Sequence, residues 1–212
     1  MTAATPVLAA SAWPSNADLI ADVARLGYLE PGDRVLDPTH GRGIWWQRWR
    51  PDQLVAHDLD PAKAPDGPAD FRHLPYRSGC FDAAAYDPPY VCVGGRRTTT
   101  LPDLHDRYGL TDAPTSPAEL QQLIDAGLAE LVRVVKPRGV VLVKCQDYVS
   151  SGRLWPGTHH TLTAALDLGC ELVDRLEHLA GVRPQPPGRR QVHARRNLST
   201  LLVLRTPRKA HP

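Results

Sequence analysis

Short, mostly apolar runs alternate along this chain with longer stretches whose apolar residues recur at helical spacing, and few folds accommodate that order. The runs are "RVLD" (34–37), "QLVAHD" (53–58), "FDAAAYD" (81–87), "VVLVKC" (140–145), "CELVDRLEHL" (170–179) and "STLLVLRT" (199–206). A weaker third strand is expected near Asp70–Arg72. Ser15-Asn16-Ala17-Asp18 predicts a helix start, and Leu19, Ile20, Val23 and Leu26 supply its apolar face as far as Gly27. "GIWWQRW" (43–49) is expected to open a second helix. Ser116, Pro117 and Glu119 fit the cap, first and third positions of a further helix. Its buried stripe is Leu120, Leu123, Ile124, Leu128, Leu131 and Val135, and Lys136-Pro137-Arg138-Gly139 ends it. Thr158 is expected to cap a last helix reaching Gly169. Strands alternating with helices predict a doubly wound α/β fold on a mostly parallel sheet.

The 212 residues, 42% hydrophobic and 23% charged, suit one domain with a substantial core. Within it, 1–14 reads as an N-terminal extension, 91–116 as a substrate loop without periodicity, and 183–198 as a basic connection between the last two strands. No apolar run approaches the ~20 residues needed to span a bilayer, and the N-terminus lacks the basic start of a secretory signal. Cys80, Cys92, Cys145 and Cys170 show no metal-ligand spacing, so reduced thiols in a cytoplasmic protein are expected. His159 and His160 have no Cys or acid beside them, which argues against zinc. The formal net charge of +2 selects no partner.

Two strand ends carry the first functional signal. "VLDPTHGRG" closes a strand on Asp37 and turns through Thr39, Gly41 and Gly43, where the absence of a Cβ admits a ligand to the backbone. Trp46 stands where a dinucleotide fingerprint has its third glycine, so the match to that fingerprint is partial. Fifteen residues beyond Gly43 lies Asp58, placed to accept the hydroxyl hydrogens of a ribose. An acid in the turn repels a pyrophosphate and suits a cationic group instead, as in S-adenosyl-L-methionine with its ammonium and sulfonium.

The succession VLDPTHGRG, VAHDLDP, ADFRHLP, FDAAAYDPPY and VKPRGVVLVK resembles the class I S-adenosylmethionine-dependent methyltransferases. Within them it resembles the DPPY-type amino-methyltransferases of nucleic-acid bases, and "QVHARRNLSTLLVLR" (191–205) is similar to the closing hairpin of the DNA methylases. The resemblance implies a seven-stranded, Rossmann-like sheet with an antiparallel last strand, S-adenosyl-L-methionine as cofactor, and a crevice flanked by Asp37 and Asp87. The chain departs from the family at His40 and Arg42, and it has no stretch long enough for a separate target-recognition domain.

In "DPPY" (87–90) the resemblance implies a catalytic role for Asp87, Pro88, Pro89 and Tyr90. An aromatic amine is a poor nucleophile because its lone pair is delocalised into the ring, and acceptors that bind the NH₂ hydrogens localise it. Asp87 supplies one acceptor, the prolines stiffen the segment, and Tyr90 offers a face for an extruded base. Asp70 is a weaker candidate for the cofactor's adenine amine. Residues 183–196 hold five arginines and no acid. From that run Arg189, Arg190, Arg195 and Arg196 are candidate phosphate contacts, joined by Arg96, Arg97 and Lys144. The expected activity is methylation of an exocyclic amine, adenine-N6 or cytosine-N4 in DNA before guanine-N2 in RNA. A protein-glutamine methylase fits less well, since that group has Asn where Asp87 stands. A nucleic-acid-binding module with a degenerate cofactor pocket is the alternative from another class. Oligomeric state is left open.

Overall fold

The computed structural model describes residues 7–11, 13–90, 114–181 and 190–209. Helix α1 (Asn16–Arg25) starts as expected, with the Ser15 side chain accepting from the Asp18 N–H. Strand β1 (Arg34–Asp37) follows, then a single 3₁₀ turn at Ile44–Trp46, β2 (Gln53–Ala56), a second 3₁₀ turn (Pro61–Lys63) and β3 (Phe81–Tyr86). Helix α2 (Pro117–Val134) is capped by Ser116, which accepts from the Glu119 N–H at 3.2 Å. Next come β4 (Val135–Cys145), a hairpin of β5 (Tyr148–Ser150) and β6 (Arg153–Trp155), helix α3 (Gly157–Asp167), β7 (Glu171–Leu179) and β8 (Leu198–Arg205).

The main sheet runs β2-β1-β3-β4-β8-β7. β2, β1, β3 and β4 are mutually parallel, and β8 lies antiparallel between β4 and β7. Both faces are covered. Ala83 and Ala85 of β3, Leu142 of β4, and Leu201 and Val203 of β8 pack with Leu19, Ile20 and Val23 of α1. The alternate residues Ala84, Tyr86, Val141, Val143, Leu202 and Leu204 pack with Leu120, Ile124, Leu128 and Leu131 of α2. This period-two division is the residue-level form of a doubly wound sheet.

The expected α/β architecture and antiparallel last strand are present, but among the described residues the main sheet has six strands, not seven. The missing strand is the one expected at Asp70–Arg72. There the Asp70 carboxylate accepts from the Arg72 N–H at 2.9 Å and binds its guanidinium, so the segment curls into a turn. Among the described residues that edge carries a lone parallel bridge, Asp58 to Pro68, in place of a strand. The helix expected at 43–49 is reduced to three 3₁₀ residues, because the side chains of Trp45 and Trp46 are drawn inward to acids. Thr158 does not cap α3 through its side chain; its N–H donates to Asp147 instead. The β5–β6 hairpin has no counterpart in the expectations.

Candidate functional site

The register of the parallel strands brings the acids together. β1 pairs with β3 as Val35 to Ala83 and Leu36 to Ala84, so the same offset sets Thr39 opposite Asp87. The Asp87 N–H donates to Thr39 Oγ1 at 2.9 Å, tying the two strand exits to each other. β3 pairs with β4 up to Tyr86 and Val143, so the next step sets Asp87 beside Lys144. Strand alternation turns the side chains of Asp37, Asp87 and Lys144 to the face covered by α1. They stand at the carboxyl ends of three adjacent strands, where open α/β sheets bind ligands.

Asp37 is buried and heavily engaged. Oδ2 accepts from the indole N–H of Trp46 at 2.7 Å, and Oδ1 accepts from the Thr39 N–H at 3.0 Å. Burial pushes its carboxyl up to about 6, with the charge of Asp58 adding to the rise against the bonds from Trp46 and Thr39. The following turn runs through Gly41 and Gly43 at φ +57° and +65°, a region that disfavours side chains. A Cβ on Gly43 would come within 2.9 Å of the His40 ring, which sits over the turn and contacts the Lys63 carbonyl oxygen through Nδ1. His40 thus has a local structural part; nothing comparable explains Arg42. The Gly41 N–H donates to Asp58 Oδ2 and the Asp60 N–H to Asp58 Oδ1, orienting this buried carboxylate while leaving each oxygen further acceptor capacity.

Asp87 is held differently. Oδ2 accepts one long bond from the Trp45 indole at 3.3 Å. Oδ1 is sealed from solvent and has no hydrogen-bond partner among the described residues, and the Tyr90 hydroxyl is in the same condition. Burial raises the Asp87 carboxyl to about 6; the charge of Lys144 opposes the rise and that of Asp37 adds to it. Consecutive tryptophans therefore each donate to one of the two neighbouring acids. Their WW doublet was the available sequence signal, and the helical reading of 43–49 concealed it.

Two cavities meet at this point. The first, about 170 Å³, is lined by Asp37, Thr39, Gly41, Asp58, Asp87 and Pro89 among others. It is smaller than the roughly 300 Å³ at which sites begin to enclose a ligand, so a nucleoside-sized molecule would lie across it partly exposed. The second, about 360 Å³, is lined by Asp87, Tyr90, Lys144, His178, Arg195 and Arg196 among others. Asp87 and Asn16 belong to both walls. Burial lowers the pKa of the His178 ring, and the charge of Lys144 lowers it further.

The expected residues divide accordingly. Asp37, Thr39, Gly41, Asp58, Asp87 and Pro89 gather around the first cavity, with Gly43 shaping its turn. Tyr90, Lys144, Arg195 and Arg196 gather around the second. Pro88 is buried between Asp87 and Pro89. Asp70 lines neither cavity: its carboxylate is clasped by Arg72, and the neighbouring Phe71 faces the first cavity instead. Arg190 is exposed and lines neither. Arg96, Arg97 and Arg189 lie outside the described residues. Among the described residues no group of His, Cys, Asp or Glu could hold a metal ion, and no helix is long and apolar enough to cross a membrane.

No protein-family model and no curated protein sequence matches this chain. Solved structures do. A "putative methyltransferase" from Bacillus halodurans superposes with a TM-score of 0.56 at 14% identity, over 89% of this chain and 98% of its own. The [4+2]-cyclase SpnF superposes with a TM-score of 0.55 at 16% identity, over 89% and 80%. A "putative DNA modification methylase" from Thermus thermophilus, complexed with S-adenosyl-L-methionine, gives 0.47 at 15% identity over 74% of this chain. The chain spans a little over half of that protein, 57% of its length. At these identities the likeness establishes a mixed α/β fold shared with methyltransferases, and the cyclase illustrates that the fold alone does not select a reaction.

Proposed function

We propose that this protein transfers a methyl group from S-adenosyl-L-methionine to an exocyclic amine of a nucleic-acid base, adenine-N6 or cytosine-N4 in DNA. One observation carries the reading: Asp87 stands in the wall common to two cavities, with a sealed carboxylate oxygen that no described residue satisfies. A buried acceptor left without a donor is costly unless a ligand supplies one.

The first cavity suits a cationic, hydroxyl-bearing cofactor. Asp37, Asp58 and Asp87 crowd around it, Asp58 opposes ionisation of Asp37, and Asp37 opposes ionisation of Asp87. A ligand carrying a sulfonium and an ammonium would relieve that repulsion. Asp58, braced by two backbone N–H groups, would accept from ribose hydroxyls. Asp37, whose oxygens already accept from Trp46 and Thr39, would act through its charge and its remaining acceptor capacity. When bound, the cofactor supplies an electrophilic methyl.

The chain's residues would do the rest. Asp87 Oδ1 would accept a hydrogen of the target amine and draw the lone pair out of conjugation. Thr39 and Trp45 fix the position of Asp87 before the substrate arrives. Tyr90, beside it in the second cavity, would stack on the base, and Arg195 and Arg196 would meet flanking phosphates. The site suits an acceptor role for Asp87 rather than a formal base, because the amine becomes acidic only as the methyl transfers; its proton would then pass to solvent, and S-adenosyl-L-homocysteine would be the leaving group.

The test is incubation with methyl-labelled S-adenosyl-L-methionine and, in parallel, DNA and total RNA, followed by mass spectrometry of the digested nucleosides. Label in N6-methyladenosine or N4-methylcytosine of the deoxy series supports the reading. Label confined to ribonucleosides moves the substrate to RNA, and label in neither, despite cofactor binding, rejects the reading.

A further inference from the structure

Lys144 is an anomaly in the middle of the sheet. It ends the apolar run Val140–Val143 on a central strand, it is 3% exposed, and its neighbour across the sheet on β8 is the apolar Leu201. A lysine in such a place is either paired with an acid or reserved for a ligand. Among the described residues it closes no ion pair. Its ammonium donates to one partner, the side-chain oxygen of Asn16 at the start of α1, whereas an ammonium has three donors. Burial lowers its pKa while the nearby Asp87 charge raises it.

The register sets Lys144 next to Asp87 on the same face of the sheet, and both line the second cavity. An acceptor and a donor therefore stand side by side with a cavity in front of them. This arrangement complements a ring edge that bears an amine next to an acceptor atom. The Asp87 carboxylate takes a hydrogen from the amine, and the Lys144 nitrogen donates to its neighbour. Adenine has ring nitrogens N1 and N7 flanking N6, and cytosine has N3 beside N4.

We infer that Lys144, oriented by Asn16, is a substrate-binding residue that donates to the ring-nitrogen acceptor flanking the target amine, so that Asp87 and Lys144 read the two atoms as a pair. The inference rests on the proposed methyl transfer and deepens it. It makes the site selective for an amine with a neighbouring acceptor, where Asp87 alone would take any amine. Charged or neutral, the lysine nitrogen keeps a hydrogen to donate.

The experiment compares the full-length wild type with Lys144→Met, on oligonucleotides that carry either the methylated base or a deaza analogue. The analogue has C–H in place of the flanking ring nitrogen (1-deaza and 7-deaza for adenine, 3-deaza for cytosine). With the wild type, one deaza position should lower kcat/KM by about tenfold to a hundredfold, the range of a hydrogen bond to a charged group. Lys144→Met should cause a similar loss on the natural base and change kcat/KM on that analogue by less than about twofold. A merely structural role for Lys144 predicts the same fractional loss on both substrates.

The inference is overturned if the wild type tolerates every flanking deaza substitution, an arm that needs no variant to fold. It is also overturned if the Lys144→Met loss is equal on natural and analogue bases. Either result with natural bases still methylated leaves the proposed function standing. Absence of methylation on every natural base removes both together.

Discussion

Asp37 and Asp87 end neighbouring strands, face the same way, and have carboxyls raised to about 6 by burial, yet they are held in opposite fashion. Asp37 receives a short bond from Trp46 and a second from the Thr39 backbone. Asp87 receives one long bond from Trp45 and keeps an oxygen with no described partner. The first carboxylate braces the turn that shapes a cavity, and the second stands in the wall of that cavity with unused acceptor capacity. A like rise in pKa therefore does not mean a like purpose; the hydrogen-bond inventory separates the two.

The largest expected effect breaks that comparison on stability. Asp37→Ala would orphan the buried Trp46 indole N–H, at about 1–3 kcal/mol, and the half-buried Thr39 N–H at less, and lower the midpoint of denaturant unfolding. Asp87→Ala removes a poorly satisfied buried carboxylate and should leave that midpoint unchanged or raised. Equal destabilisation by the two variants would erase the distinction.

The next effect is on cofactor affinity. Asp58→Ala should weaken S-adenosyl-L-methionine binding by about tenfold or more, as for a lost charge-assisted bond. An unchanged dissociation constant by calorimetry would remove Asp58 from the ribose role. Thr39→Val, which keeps shape but deletes the oxygen that accepts from the Asp87 N–H, should cost about 1 kcal/mol of stability. It should lower turnover more than cofactor affinity.

Acidity sharpens the comparison further. Both carboxyls rise from 3.8 to about 6 on folding, so the native state binds these protons more tightly than the unfolded chain. Their contribution to stability is full below about pH 4 and is lost as pH rises through 6. On the proposed function, cofactor binding would use the ionised form of Asp37 and methyl transfer that of Asp87 as well, so both should fall as pH drops through 6. Opposite pH slopes for stability and for activity across this window are expected; parallel slopes would contradict the assignment. The smallest effect is at the periphery. Arg190→Ala should reduce the slope of log affinity against log salt for nucleic acid by about one unit, and an unaltered slope would make Arg190 a bystander.

Much of the fold could be read from the chain. "RVLD" matches β1 residue for residue, and the Ser15 and Ser116 caps stand where local hydrogen bonding requires them. These signals are local, so they survive the reading of a single sequence. The third strand was not legible, because whether Asp70–Arg72 extends or curls depends on the bonds that the Asp70 carboxylate accepts from the Arg72 N–H and guanidinium. The tryptophan doublet was misread for the opposite reason. Its amphipathic pattern is genuine, but the partners that draw it inward lie 9 and 42 residues away. Of the candidate site, "DPPY" and the glycine turn stand out by residue type, and Gly41, Asp87, Pro89 and Tyr90 from them line the two cavities. The pairing of Asp87 with Lys144 follows from strand register, which no single stretch of sequence contains.

The central claim is that Asp87 faces the substrate rather than building the cofactor site. It is tested most directly by measuring S-adenosyl-L-methionine affinity and methyl transfer to nucleic acid on the same preparation of Asp87→Ala. Affinity within a few-fold of wild type, together with a loss of transfer of about a hundredfold or more, is the predicted result. Turnover preserved in that variant would contradict the account.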